Sequence, residues 1–139
     1  MGTVIRSELS RKNPYWIEKH RYYELKHFCL QYPIWKQSYN SLGGLSSNPD
    51  ALDMCRNKYH MSNPTERIAM IRSNYSNKMQ MVERSAEEAD KEIARYILLG
   101  VTTGLSYTTL RTKHNIPCCK DVYYGLYRKF FWILSKKRN

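Results

Sequence analysis

The chain has 139 residues, 42% of them hydrophobic, with 23 Lys/Arg against 12 Asp/Glu and a net charge of +11. That length suits one compact domain, or a small domain with an arm, and the apolar share excludes global disorder. The charge points to a polyanionic partner, nucleic acid first and an anionic membrane surface second, while no stretch approaches the ~18 apolar residues of a membrane span.

Residues 1–14 read as a basic flexible arm ending at Asn13-Pro14. They hold no apolar run of the kind a secretory signal needs, and Arg6 stands where a myristoylation signal wants Ser or Thr. Residues 15–42 form an aromatic-rich helical segment, with Tyr22, Leu25, Cys29 and Tyr32 on one face and Phe28 beside it. Tyr32-Pro33 interrupts the pattern, because proline disfavours the helical conformation of the residue before it. Pro33 then starts a second helix with Ile34, Trp35, Ser38 and Leu42 along one side. "SLGGLSSNPD" (41–50) opens a linker, taken as 43–62.

"NPTE" (63–66) is a strong helix start: Asn63 can cap, Pro64 suits the first helical position, and Glu66 can complete a capping box. The spacing predicts a long helix over 63–99, with Ile68, Ile71, Tyr75, Met79, Val82, Ala86, Ala89, Ile93 and Tyr96/Ile97 on one stripe. That stripe either packs within the domain or makes a homodimer. Residues 100–139 read as a helix–turn–helix. Ser106 caps a short helix, Asn115 takes a left-handed turn, and Pro117 opens the last helix. There Val122, Leu126, Phe130 and Ile133 are the expected core face, and Gly125 is expected to admit a crossing helix. No strand pattern of comparable length occurs, so the fold class is all-α.

The charge is uneven. Residues 111–139 carry eight Lys/Arg and one acid, whereas 83–110 carry five acids and three bases. A basic C-terminal end suggests a directed binding face for double-stranded DNA. The major groove admits one helix, whose N-terminal residues meet base edges. Opposite the expected core face lie Lys120, Asp121, Tyr124 and Arg128, with Tyr123 on the flank, as the base-reading set. Arg111, Lys113, Tyr127, Lys129, Lys136, Lys137 and Arg138 suit phosphates. The aromatic N-terminal half, with Trp16, Tyr22, Tyr23 and Trp35, reads either as a subdomain core or as a protein-binding surface.

The four cysteines are Cys29, Cys55, Cys118 and Cys119. Their spacing is not that of a secreted disulfide framework, so a reducing, cytoplasmic setting is expected. Adjacent side chains such as Cys118 and Cys119 diverge by about 100° on a helix and make poor partners on one metal ion. No metal and no cofactor are expected; a redox role for this pair is left open. "SLGGLSS" lacks the Lys-Ser/Thr of a phosphate loop, and no nucleophile elbow is present. Glu83, Glu87, Glu88, Asp90 and Glu92 alternate with Arg84, Lys91 and Arg95 as on a solvated helix face rather than a nuclease centre. A non-enzymatic protein is expected.

Taken in order, "KHRYYELKHFCLQYPIWK" (19–36), "NPTERIAMI" (63–71) and "EIARYILLGVTTGLSYTTLRTKHNIPCCKDVYYGLYRKFFWIL" (92–134) resemble phage and prophage late-gene transcription regulators of the RinA/ArpU type, found in Gram-positive bacteria. The resemblance covers about residues 19–138. It implies a C-terminal helix–turn–helix resembling region 4 of sigma factors. Ile116 matches the first position of the recognition segment and Val122 its core position, with Lys120, Asp121, Tyr123 and Tyr124 at the reading positions. The chain departs from the pattern in having Pro117-Cys118-Cys119 where a capping Ser is usual, and tyrosines where long polar readers are usual. The resemblance implies promoter binding upstream of phage late genes in the nucleoid of a bacterial host. Contact with host RNA polymerase is the further implication.

Overall fold

The computed structural model describes residues 13–45 and 64–138. Among these the fold is all-α, with no strand. Its helices are α1 (Lys19–Leu30), α2 (Tyr32–Leu45), α3 (Pro64–Ala89), α4 (Ala94–Thr103), α5 (Tyr107–His114) and α6 (Lys120–Lys137). Most of the expected arm (1–14) and linker (43–62), the Asn63 cap and Cys55 lie outside the described residues. Among the described residues, no helix is long and apolar enough to cross a membrane.

The chain divides into two compact units: residues 32–80 form one, and 1–31 with 81–139 form the other. In the smaller unit, Trp35 and Leu42 of α2 and Ile68 of α3 are buried. The Arg72 guanidinium lies 4.1 Å from the centre of the Tyr39 ring, and its Nε donates to the Tyr39 carbonyl at 3.3 Å. Lys78 Nζ sits 5.7 Å from the Trp35 ring centre. Ile34, expected on the apolar side of α2, is instead exposed.

In the larger unit α1 packs on α4 and α6, and α4 packs on α6 and α5. Glu18 starts α1: its carboxylate accepts from the backbone N–H groups of His20 (2.8 Å) and Arg21 (3.1 Å). As the spacing predicts, Tyr22, Leu25, Phe28 and Cys29 are buried. Helix α3 begins at Pro64 as expected, but the helix predicted over 63–99 stops at Ala89. Asp90 Oδ1 accepts from the N–H groups of Glu92 (2.8 Å) and Ile93 (3.1 Å), so its side chain replaces the helical ladder with a turn. The apolar stripe survives this break, because Val82, Ala86, Ala89, Ile93, Tyr96 and Ile97 are all buried. Helix α4 runs past the predicted end at residue 99, through Gly100 to Thr103, and is capped by left-handed Gly104 (φ 76°).

Candidate nucleic-acid interface

Helix α5 and the start of α6 are set by local chemistry that the sequence announces. Ser106 Oγ accepts from the Thr109 N–H at 3.3 Å and caps α5. Asn115 turns the chain at φ 53°, where its short polar side chain tolerates the left-handed region. Ile116 N–H then closes on the Leu110 carbonyl at 3.3 Å, with both side chains buried. Tyr107 Oη donates to the Cys118 carbonyl at 2.6 Å and so ties the turn to α5. Pro117 does not open α6. It lies in the connection, Cys119 is the extended N-cap residue, and the first helical residue is Lys120.

The facing of α6 differs from the expected one. Tyr123, Tyr124, Phe130, Phe131 and Leu134 are buried, whereas Val122 is 50% exposed. Two stripes with nearly the same helical spacing compete in this helix. The stripe of rings buries far more apolar area than Val122, Leu126 and Ile133 can, and it wins the core. Ring centres of Tyr123 lie 5.0 Å from Tyr124, 5.8 Å from Tyr107 and 5.9 Å from Tyr127, and Tyr22 meets Phe131 edge-on at 5.1 Å. Tyr124 Oη accepts from the Tyr107 N–H at 3.3 Å, and the Tyr22 and Tyr127 hydroxyls are 3.4 Å apart. The Tyr123 hydroxyl is buried with no hydrogen-bond partner among the described residues. Burial pushes the phenols of Tyr22, Tyr123 and Tyr127 above their usual range, and it does the same to the Cys29 thiol.

Tyr123 and Tyr124 are thus core residues and cannot reach base edges, and Tyr127 is turned to Tyr22 rather than to a phosphate. Lys120 and Asp121 are exposed, and Arg128, about two turns further along α6, is half-buried. On α5, Arg111 and Lys113 are exposed. Lys120, Arg111, Lys113, Arg128 and Lys129 make no ion pair among the described residues. Asp121 is the one acid in the first turn of α6, where the helix dipole favours it.

The cations at the far end of α6 are held within the unit. Lys136 Nζ sits 3.5 Å from the Trp132 ring centre, Lys137 Nζ is 2.6 Å from a Glu88 oxygen, and the Arg138 guanidinium lies 3.8 Å from the Phe28 ring centre. Arg21 of α1, itself paired with Glu24, reaches across to Ser135 through Nε to Oγ (3.1 Å) and Nη2 to the carbonyl (2.9 Å). The proposed partner-binding aromatics divide. Tyr22 and Trp35 are buried and belong to cores, whereas Trp16 and Tyr23 are half-buried.

Val122 and Gly125 face differently from the spacing-based expectation. Both lie on the exposed side of α6, whereas Val122 is expected from spacing in the core and Gly125 at a helix crossing. An open groove of about 570 Å³ at the α3–α4 turn is lined by Glu83, Glu87 and Glu92 together with Lys91 and Arg95, so it has no single sign of charge. Among the described residues, no three His, Cys, Asp or Glu gather as metal ligands. Cys118 is half-buried, and burial followed by Cys119 and Asp90 raises its thiol pKa, which disfavours the reactive thiolate. No protein-family model, curated protein or solved structure matches the chain.

Proposed function

We propose that this chain is a DNA-binding transcriptional regulator that presents α5 and the N-terminal half of α6 as a sigma-like helix–turn–helix. The setting is the nucleoid of a bacterial host, and the role is control of phage or prophage late genes. One observation carries the reading. The buried aromatic stripe turns the first turns of α6 outward, so that Lys120 and Asp121 are exposed with Arg111 and Lys113 on the preceding helix. An exposed helix start, with exposed cations on α5 that form no ion pair among the described residues, fits the major groove and its flanking phosphates. Lys120, Asp121 and Arg128 remain the base-reading set; Arg111, Lys113 and Lys129 are the phosphate set. The role needs no catalytic residue and no cofactor.

The test is titration of duplex DNA at several salt concentrations. Each neutralised phosphate contributes about −0.9 to the slope of log affinity against log salt, so an overall slope of about −3 to −5 is expected. A slope near zero overturns the proposal.

A second reading has its own observation. Ile34 on α2 and Met70 on α3, both in the 32–80 unit, are large apolar side chains exposed at 61% and 55%. Such residues suit a protein partner, either host RNA polymerase or a second copy meeting along α3. Stoichiometric co-elution with purified host polymerase without DNA, lost in Ile34→Asp and Met70→Asp, supports it.

A further inference from the structure

Gly125 lies in the interior of α6, at ordinary helical φ, and a Cβ built on it meets nothing within 4 Å. Glycine weakens a helix interior relative to alanine because more backbone freedom is lost on folding. Neither close packing nor a left-handed backbone asks for it here. Contrast Gly100 and Gly104, each explained within the unit: one by contact with Tyr123, the other by its positive φ. Nothing among the described residues asks for glycine at this position, and its missing side chain leaves the α6 backbone open to a close approach from outside.

One turn earlier on the same face stands Val122, 50% exposed and apolar. By helical spacing Arg128 and Lys129 lie one turn beyond Gly125 and flank this strip, with Asp121 one turn before it, while Lys120 lies toward the other side of α6 and Arg111 and Lys113 are exposed on α5. A small, apolar, side-chain-poor strip flanked by Arg128 and Lys129, on a chain of net charge +11, complements a polyanion better than a second copy of this basic chain. We infer that Val122 and Gly125 form the strip that enters the major groove, Gly125 letting the helix backbone approach the base edges and Val122 packing on the C5-methyl of a thymine. That methyl is the apolar group the major groove offers, and it distinguishes thymine from cytosine. The inference rests on the DNA-binding reading above.

The experiment has two stages. The full chain first selects bound duplexes from a random pool. Each thymine of the selected site is then replaced singly by deoxyuridine, which deletes only the methyl, and affinity is measured for the native chain, Val122→Ala, Gly125→Ala and Gly125→Leu. At one thymine the native chain is expected to lose about fourfold, the effect of one buried methyl group. Val122→Ala has already lost that much and is indifferent to the replacement. Gly125→Ala melts at a higher temperature than the native chain yet binds the selected site more weakly, and Gly125→Leu more weakly still, with random DNA bound as before. If a site is selected but no uracil matters and all three variants bind it as the native chain does, DNA binding stands and this strip is not its reading surface. If the variants alter self-association in sedimentation and leave DNA binding untouched, the strip faces a second copy and the inference fails. If the native chain binds no duplex, the DNA-binding reading falls and takes the inference with it.

Discussion

The two ends of α6 carry similar residues and do different things. Toward the C-terminus, Lys136, Lys137 and Arg138 are engaged by Trp132, Glu88 and Phe28. At the N-terminus, Lys120 and the α5 residues Arg111 and Lys113 have no such partner among the described residues. A count of charges treats the whole helix as one basic surface. The structure divides it into an end that docks α6 onto α1 and α3 and an end that faces outward. Charge available to a partner is what remains after the fold has used its share.

The division depends on the ring stack that fixes the rotation of α6, and the largest effect comes from unseating it. A Cβ at position 100 would lie 2.3 Å from the Tyr123 hydroxyl, with Leu105 O and Leu110 Cδ1 at 3.6 Å. Tyr123 is fully buried and its ring is wedged among other rings, so it cannot swing aside. Gly100→Ala is expected to cost about 3 kcal/mol, the upper end for overpacking. Deleting the clashing hydroxyl should restore most of it, so Gly100→Ala/Tyr123→Phe is expected to be more stable than Gly100→Ala alone. Urea denaturation of the four chains measures this coupling, and simple additivity would mean that the hydroxyl does not set the fit.

Next in size is the contrast between the two sets of cations. Lys120→Ala is expected to weaken a selected DNA site by about 1–3 kcal/mol relative to random DNA if it meets a base. Lys137→Ala should leave that ratio unchanged. Competition binding with the selected and a scrambled duplex checks it. Equal loss of selectivity in both variants would erase the distinction between the two ends.

Much of this was legible in the sequence, and the failures are physically specific. The buried face of α1, the Ser106 cap and the left-handed Asn115 each follow from a local signal that tertiary structure had no reason to override. The facing of α6 was not legible from spacing. The stripes 122/126/130/133 and 123/127/130/134 have nearly the same period, and the area of the rings decides between them. Reading Tyr123 and Tyr124 as DNA contacts followed from choosing the lighter stripe. The break at Asp90 was hidden for a similar reason: the apolar stripe runs on through Ile93 and Ile97 whether or not the helix does. An Asp followed by two residues whose N–H groups it can accept was the available sign.

A smaller effect concerns pH. Tyr123→Phe removes a buried hydroxyl that has no partner among the described residues, which should stabilise the chain by about 1 kcal/mol. It should also change the alkaline limit. Burial raises the pKa of Tyr22, Tyr123, Tyr127 and Cys29 in the folded chain, so the unfolded chain gives up these protons first. The unfolded state then holds fewer protons, and stability falls as pH rises. The loss begins near pH ~9 with the thiol and steepens above ~10 with the phenols. Stability against pH from ~8 to ~11 should fall less steeply in Tyr123→Phe than in the native chain. Identical slopes would mean that Tyr123 keeps an ordinary pKa and is less enclosed than its ring contacts indicate.

The smallest effect on stability is the most direct attempt to turn one end of α6 into the other. Glu88→Gln removes the acid that holds Lys137. Both side chains are partly exposed, 54% and 31%, so the pair is worth less than about 1 kcal/mol after screening. The variant should melt within a few degrees of the native chain. Its affinity for duplex DNA, on the proposed function, is a different matter. A released Lys137 adds one cation to the outward-facing set, and the loss of Glu88 removes a repulsion. If the phosphate track extends to this end of the helix, the salt slope should steepen by about 0.9 and affinity for random duplex should rise. If the slope is unchanged, the track stops short of Lys137, and phosphate contact is confined to α5 and the first turns of α6.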